Sequence, residues 1–262
     1  DLWQGYAQGR AGVSVDLVAH SGINQPSVVL TIPGTSLAGE VVVLGGHLDS
    51  TAFGSGNPEF LAPGADDNAS GIAVLSEVIR VAMAAGFFPQ RTVQFMGYAA
   101  EEIGLVGSQD IAAAYQAAGT DVVAVLQLDM TGYFGSVEDI GILSDFTDGT
   151  LTAFLGELVD TYQPELLWTT TACGYGCSDH AAWHLEGFPA AMSFESRFGQ
   201  HNPEIHTTAD TLATLGDNVD HAYKFARLGL AFMVEIGKGA IVGVFADGFE
   251  SGSTAAWSQT VP

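Results

Sequence analysis

The chain has 262 residues, which is enough for one large domain with a substantial apolar core. Apolar residues make up 47% of it and charged residues only 14%, as in compact globular proteins rather than disordered ones. Seven Lys and Arg against 30 Asp and Glu give a formal net charge of −23, which repels nucleic acid and anionic membranes. We therefore expect neither as a partner.

Neither a membrane span nor a signal peptide is evident in the sequence. No run reaches the roughly 18 uncharged apolar residues that a transmembrane helix needs. The start also lacks a charged segment followed by an apolar one. Since the chain begins at Asp1 without Met, we expect that any signal peptide was removed or lies outside this sequence. This absence does not favour the cytoplasm.

The elements predicted along the chain alternate between strands and helices. Continuous apolar runs predict buried strands, and apolar residues at helical spacing predict helices. The predicted elements are a short helix at the start, a hairpin over 13–20 and 27–35, strands at 41–44, 92–98, 122–128, 140–143 and 188–194, and helices at 70–85, 109–118, 147–162 and 218–237.

Such alternation predicts an α/β fold, a three-layer α/β/α sandwich around a mixed, mainly parallel sheet. Ligands of such sheets bind beyond the carboxyl ends of the strands, and we expect the active site there. We expect one catalytic domain over residues 1–240. Residues 241–262 have Gly, Ser and scattered aromatics without a period, and are predicted to form a tail.

The two cysteines, Cys173 and Cys177, lie in the segment CGYGC. The glycines allow a tight bend, so a disulfide that closes a small loop is sterically reasonable. A free buried pair and a pair of metal ligands are the alternatives, although an isolated C-x₃-C is a poor structural zinc site. We favour the disulfide, and with it an oxidising compartment.

Polar side chains follow several of the predicted strands. His47 follows VVVLGG, the pair Glu101 and Glu102 follows VQFMGYAA, Asp129 follows VVAVLQL, and Glu195 follows AAMSF. Like charges gathered in one crevice cost free energy, which a divalent cation would offset. A single acid at such a place would be interpreted as a cap or a solvated loop residue. Acids at several corresponding strand ends predict a metal site.

Two further residues extend this set of potential ligands. Asp67 lies just before a helical pattern, and His206 lies in the polar segment NPEIHTTADT. Imidazoles together with carboxylates suit zinc or a similar first-row metal. More than four potential ligands predict two ions bridged by a carboxylate, a recurring hydrolytic arrangement. The residues alone do not choose between Asp66 and Asp67, or between Glu101 and Glu102.

Long segments of the chain resemble the secreted bacterial leucyl aminopeptidases of the M28 metallopeptidase family. The likeness extends over about residues 17–237, and its motifs are long and occur in the same order. They are GGHLDS (45–50), APGADDNASG (62–71), YAAEEIGLVGS (98–108), LQLDMTGY (126–133), CGYGCSDHAAW (173–183) and NPEIHTTADT (202–211).

The resemblance implies a dizinc aminopeptidase that hydrolyses the N-terminal peptide bond of peptides with a bulky, leucine-like first residue. It implies that Asp67 bridges the two Zn²⁺ ions, that His47 and Asp129 complete one site, and that Glu102 and His206 complete the other. It also implies a secreted enzyme that acts on peptides with a free N-terminus, and we expect a monomer.

The resemblance also implies roles for residues that do not bind metal. Glu101 would be the general base that takes a proton from a zinc-bridging water, and Asp49 would hold the second ring nitrogen of His47. The segment CGYGC would form a disulfide, as favoured above. The pocket for the first side chain would comprise Met130, Leu143, Tyr175, Cys177, Phe194 and Phe198, each of which could equally be a core residue.

The sequence departs from the family in three respects, one of which, Asn68 in place of a third acid after APGA, leaves the implied ligand Asp67 intact. Members carry further helical structure before the position that corresponds to Asp1, and this N-terminal part is expected to be missing here. His201 stands where the family usually has an aromatic residue near the substrate, so contacts there are expected to differ.

Three other functions are alternatives to this one. A single-zinc glutaminyl cyclase of the same fold would form pyroglutamate, and an inactive metal-binding module would not be expected to keep Glu101. A carboxypeptidase would need a basic residue for the terminal carboxylate, for which Arg197 is the nearby candidate. His180 and His184 in HAAWH lack the Glu of a zinc-protease helix and are interpreted as packing or loop residues.

Overall fold

The computed structural model describes residues 2–53 and 61–241. In chain order the helices and strands are α1 (Leu2–Ala7), β1 (Ser14–Val18), β2 (Ser27–Ile32), β3 (Leu37–His47), α2 (Ala69–Ala84), β4 (Phe87–Phe88), β5 (Arg91–Tyr98), α3 (Val106–Ala118), β6 (Asp121–Leu128), β7 (Ile140–Leu143), α4 (Gly149–Tyr162), β8 (Trp168–Thr171), α5 (His180–Leu185), β9 (Ala190–Phe194), α6 (Asp220–Gly237) and β10 (Ala240–Ile241).

The main sheet has eight strands in the order β1-β2-β5-β3-β6-β9-β7-β8. Parallel pairs join β5 to β3, β3 to β6, β6 to β9 and β7 to β8, whereas β1–β2, β2–β5 and β7–β9 are antiparallel. The sheet is therefore mixed and mainly parallel, as predicted. Its central strands β5, β3, β6 and β9 all run in one direction, so their carboxyl ends meet at one edge.

Helices cover both faces of this sheet and complete the three-layer sandwich that the sequence predicts. Val42 and Leu44 of β3 belong to a core cluster with side chains of α2, α4 and α6. Val41 and Val43 belong to the opposite cluster, which includes Ile111 of α3 and Trp183 of α5. Successive side chains of a strand point to opposite faces, and this explains why the apolar run in β3 is continuous rather than alternating.

Helix α2 shows how local signals place the candidate site. Asn68 caps its first turn, because Asn68 Oδ1 accepts a hydrogen bond from the N–H of Gly71. The same amide donates from Nδ2 to the carbonyl oxygen of Leu128 at the end of β6. A Cβ at Gly71 would lie 2.3 Å from that carbonyl, so only glycine allows this close approach. The beginning of α2 is thereby held against the carboxyl end of β6.

Several short elements escape the sequence-based prediction. These are β4, β8, α5 and β10, which have two to six residues each and too few positions to show a period. The predicted tail begins next to β10, whose Ile241 pairs with Phe87, and residues 242–262 lie outside the described part of the chain. Among the described residues, none of the helices has the length and apolar character needed to cross a membrane.

Candidate active site

The candidate site begins at His47, the last residue of β3. Its imidazole is buried, and Nε2 lies 3.0 Å from Oδ1 of Asp67 and 3.4 Å from Oδ1 of Asp129. Two glycines precede it in the strand. A Cβ at Gly46 would lie 2.9 Å from the carbonyl oxygen of Leu128, so the glycine lets β3 and β6 bring His47 and Asp129 together.

Asp67 reaches the same place from the loop before α2. Asp210 holds this loop: its carboxylate accepts hydrogen bonds from the backbone N–H groups of Asp66 and Asp67. Oδ2 of Asp67 lies 3.0 Å from Nε2 of His206, while its Oδ1 contacts His47. One buried carboxylate thus contacts both imidazoles, one through each oxygen.

Two groups of potential metal ligands share this carboxylate. In each group, the candidate ligand atoms all lie within 4.8 Å of one another. The first group consists of His47, Asp67 and Asp129, and the second of Asp67, Glu102 and His206. The structure therefore brings together the five residues that the resemblance implies as zinc ligands.

Glu101 and Glu102 lie in the tight turn between β5 and α3. The backbone N–H groups of Glu101 and Glu102 donate to the two carboxylate oxygens of Asp49, at 3.0 and 3.1 Å. Glu102 Oε2 lies 3.3 Å from Nε2 of His206. Glu101 belongs to neither ligand group but lines the same cleft. The turn thus places adjacent carboxylates in different positions, one with the ligands and one beside them.

Asp49 also contacts His47, although not as expected. Nδ1 of His47 lies 3.0 Å from the backbone carbonyl oxygen of Asp49 and 3.7 Å from its carboxylate. The carbonyl therefore accepts the hydrogen bond that fixes the ring, and leaves Nε2 directed at the ligand groups. The carboxylate contributes a nearby negative charge and holds the turn that carries Glu101 and Glu102.

A buried hydrogen-bond chain holds Asp129, and sequence reasoning missed it. Ser178 Oγ donates to Oδ2 of Asp129 at 2.6 Å, and Nε2 of Gln127 donates to both Ser178 Oγ and Asp179 Oδ2. Gln127 and Asp129 are two residues apart and therefore point to the same face of the strand. That spacing, together with the position of Ser178 directly after Cys177, is the signal from which these hydrogen bonds could have been predicted.

The charges of the site are strongly interdependent. Burial opposes the ionisation of Asp67, but hydrogen bonds from His206 and His47 hold the pKa of its carboxyl well below the usual value. Burial likewise opposes the protonation of His47, and Asp129, Asp49 and Asp67 nevertheless raise its pKa. The contacts with Asp67 and Glu102 raise the pKa of His206 to about 10. Without a metal, both imidazoles would keep their protons beside this carboxylate, and metal binding would displace them.

Glu101 differs from this pattern because, within residues 2–53 and 61–241, no ion pair joins its carboxylate to a cation. Burial raises the pKa of Glu101 to about 9, and the negative charges of Asp179, Asp129 and Asp67 add to the effect, while His47 opposes it. A carboxyl that is buried in a cleft and holds a proton this readily is suited to proton transfer.

The residues present fit a pair of zinc ions. Asp129 Oδ1 and Glu102 Oε1, one in each ligand group, are buried and have no hydrogen-bond partner in the described part of the chain. A buried carboxylate oxygen without a partner is costly unless a cation contacts it. Imidazole nitrogen and carboxylate oxygen are both established zinc ligands, and hard oxygen-only sites that suit Mg²⁺ or Ca²⁺ lack imidazole.

A cleft of about 280 Å³ opens beside these groups. Five of the six predicted pocket residues line it, and the disulfide between Cys173 and Cys177, confirmed by the structure, forms part of its wall. Leu143 does not line the cleft; it is fully buried and packs behind Met130, Met192 and Phe194. His201, expected near the substrate, also lines the cleft, and the lining residues missed from the sequence are Phe53, Gly104, Leu105, Gly176, Met192 and Ile205.

Several residues considered from the sequence lie outside the ligand groups. Glu195 accepts hydrogen bonds from the backbone N–H groups of Tyr133 and Asn202, and its carboxyl contacts that of Asp66. Burial and the charge of Asp66 raise the pKa of Glu195. Arg197 pairs with Glu138 on the surface. His180 is buried at the beginning of α5, where burial lowers its pKa to about 4, which agrees with its interpretation as a packing residue.

Comparisons with known proteins agree with this geometry. A sequence profile described as "Peptidase family M28" matches residues 27–230. Leucine aminopeptidase 1 of Fusarium vanettenii is 41% identical over 225 residues, which is 81% of this chain and 55% of that protein. The chain therefore spans little more than half the length of this curated relative.

Solved structures agree as well. The crystal structure of LapB from Legionella pneumophila matches with a TM-score of 0.80 and 38% identity, over 90% of this chain and 63% of that one. A glutaminyl cyclase from an Acidobacteriales bacterium matches with a TM-score of 0.67 and 21% identity, over 91% of this chain and 83% of that one. The latter likeness shows a common fold.

Proposed function

Since this chain belongs to peptidase family M28, we propose that it is a dizinc aminopeptidase that removes bulky apolar residues from the free N-termini of peptides. The observation that carries the proposal is the position of Asp67, whose two carboxylate oxygens each lie 3.0 Å from a different imidazole. A carboxylate shared in this way by two ligand groups is what a two-metal hydrolytic site requires.

The ligand groups and the other residues of the cleft have different roles. When bound, the zinc pair would polarise the scissile carbonyl and lower the pKa of an attacking water. Glu101 lies beside the ligands without belonging to them, so we assign it as the general base that takes a proton from that water and passes it to the leaving amine. Asp49 holds the turn that positions Glu101 through its backbone N–H group.

The walls of the cleft support a bulky apolar first residue. Met130, Met192, Phe194 and Phe198 present apolar side chains in the same cleft that contains Glu101. Burial of a leucine-sized side chain contributes about 1.5–3 kcal/mol, which such walls can supply without a charged contact. The name of the Fusarium relative, leucine aminopeptidase, agrees with this preference.

The same proposal includes the setting in which the enzyme works. The disulfide between Cys173 and Cys177 supports an oxidising compartment, and we propose that the protein is secreted. We further propose that it acts as a monomer, that residues 1–240 form the catalytic domain, and that residues 241–262 form an appended tail.

The decisive experiment measures zinc per chain together with the hydrolysis of leucine 4-nitroanilide, with and without a chelator. Wild type is compared with Glu101→Ala and with Glu186→Ala, a matched control in which an exposed acid outside the cleft is removed. We expect two zinc ions per chain in all three proteins. We expect chelator-sensitive release that falls by at least about 100-fold in Glu101→Ala only, as for the loss of a general base.

Each other outcome would contradict a defined part of the proposal. One zinc ion per chain with pyroglutamate formation and no leucine release would favour a cyclase of the same fold. Two zinc ions with full activity in Glu101→Ala would show that Glu101 is not the general base. Zinc-independent activity would contradict the metal site itself.

A further inference from the structure

An imidazole lies among aromatic and aliphatic side chains on one side of the cleft. His201 lines the cleft together with Phe194, Phe198 and Ile205. Its ring lies 5.1 Å from the ring of Phe198 and 5.7 Å from that of Phe194, measured between centroids. The imidazole is thus part of this side of the cleft by packing, and it adds a polar ring to neighbouring side chains that are otherwise aromatic and aliphatic.

A tight turn fixes the hydrogen-bonding state of this imidazole. The backbone N–H of Gly199 donates to Nδ1 of His201 at 3.1 Å. Gly199 has a φ of +88°, in the region that favours glycine, and the N–H of Gln200 closes the turn on the carbonyl oxygen of Arg197. Because Nδ1 accepts a hydrogen bond, the proton of the neutral ring is on Nε2.

The proton on Nε2 has no partner within the described residues. Burial lowers the pKa of His201, which keeps the ring neutral at the pH at which a peptide amine is also neutral. A neutral ring with Nδ1 occupied presents one N–H donor and no free acceptor. The best complement to a single donor in an apolar wall is a single acceptor that carries no donor of its own, because a leftover N–H or O–H in such a wall would remain unsatisfied.

We propose that His201 is a specificity-determining residue, and that its Nε2–H donates to first residues whose flexible side chain carries an acceptor without a donor near its end, namely methionine and, more strongly, methionine sulfoxide. This proposal rests on the proposed aminopeptidase function. The thioether sulfur of methionine is a weak acceptor, whereas the sulfoxide oxygen makes the side chain polar. Glutamine has an acceptor of similar reach, but its amide N–H groups would be left without partners in this wall.

The test compares three 4-nitroanilides with nearly isosteric side chains: norleucine, methionine and methionine sulfoxide. The variant His201→Phe keeps an aromatic ring against Phe194 and Phe198 and removes the donor. Gly199, which loses its acceptor in this variant, is exposed and can donate to water. His201→Gln loses the ring but restores an N–H donor, and serves as the conservative variant.

We expect wild type to hydrolyse all three substrates. In His201→Phe, kcat/KM for the sulfoxide relative to norleucine should fall about 2- to 10-fold, the range for loss of one hydrogen bond. The change for methionine should be smaller, and His201→Gln should recover part of the sulfoxide preference.

If kcat/KM for the sulfoxide relative to norleucine is unchanged in His201→Phe, the proposal is overturned. An equal loss of kcat/KM on all three substrates is one such outcome, and would make His201 a wall residue only. Failure of wild type to release norleucine would instead contradict the aminopeptidase function, so the two failures are distinguishable.

Discussion

The hydroxyl of Ser178 donates a 2.6 Å hydrogen bond to Oδ2 of Asp129, while the other oxygen of that carboxylate has no hydrogen-bond partner among the residues that the structure describes. Ser178 therefore fixes which oxygen of Asp129 is available to a metal. Gln127 donates to Ser178 and so fixes the orientation of the hydroxyl in turn. The residues that hold the ligand are as fully buried as the core.

Removal of this hydroxyl should weaken metal binding at one ion position. We expect Ser178→Ala to lower the affinity for one zinc ion by about 10- to 100-fold, the usual effect of losing a group that orients a ligand. Competition with a chromogenic chelator measures this directly. Ser193→Ala is the matched control, because Ser193 is also fully buried but its Oγ has no hydrogen-bond partner within residues 2–53 and 61–241. Equal zinc affinities in both variants would contradict the orienting role.

The shared carboxylate predicts a distinct stoichiometry for each ligand variant. Asp67→Ala should lower the occupancy of both zinc ions, since Asp67 belongs to both ligand groups. Asp129→Ala and Glu102→Ala should each affect one ion and leave the other bound. Asp66→Asn tests the neighbouring acid, which belongs to neither group, and should retain two ions. Zinc content after dialysis measures the outcome; loss of one ion only in Asp67→Ala would exclude a bridge.

The proposed reaction predicts a rising pH profile. A peptide amine ionises with a pKa near 7.7–8.0, and only the neutral amine can bind a metal, so activity should increase from about pH 6 to about pH 8. Initial rates on leucine 4-nitroanilide across this range test the prediction. A maximum in acid would contradict it.

The burial of the neutral His221 ring predicts that the folded protein loses stability in acid. Its Nε2 donates to the carbonyl oxygen of Glu195, and Lys224 Nζ lies 3.1 Å from its Nδ1, an arrangement that suits only the neutral ring. Burial lowers the pKa of His221 to about 4, and Lys224 adds to the effect. The unfolded chain, with a pKa near 6.5, binds the proton more readily, so stability should be complete above about pH 6.5 and fall towards pH 4.

The size of this effect should be up to about 3 kcal/mol. Urea unfolding of the metal-free protein at pH 7 and at pH 4.5 measures it, with His221→Asn as the test and His184→Asn, at an exposed position, as the control. The difference between the two pH values should shrink in His221→Asn and stay unchanged in His184→Asn. An unchanged difference in both variants would assign the acid sensitivity to other groups.

The parts of the fold that follow from the sequence are those with strong periodicity. The buried run of β3 and the long helices α2, α4 and α6 lie within a few residues of their predicted bounds. The short strands β4, β8 and β10 form because neighbouring chain segments offer partners, and such pairing has no local signal.

The candidate site, like the fold, could be predicted from the sequence only in part. Polar residues after successive apolar strands were sufficient to predict a metal site at the sheet edge. The geometry that separates Asp67 from Asp66 depends on Asp210, which lies far away in the sequence and holds both backbone N–H groups. Likewise, the interaction between His47 and the carbonyl oxygen of Asp49 depends on backbone geometry rather than on residue type.

The two ligand groups are assembled from five separate segments of the chain, between His47 and His206. None of these segments can bind an ion well alone, so the unfolded chain should have little affinity for a zinc pair, and bound metal would favour the folded state alone. By linkage, each ion present at 100 times its dissociation constant would add about 2.7 kcal/mol to the free energy of unfolding. Zinc supply would then determine the lifetime of the folded protein as well as its activity. Protein without bound zinc would be the fraction that is degraded most readily.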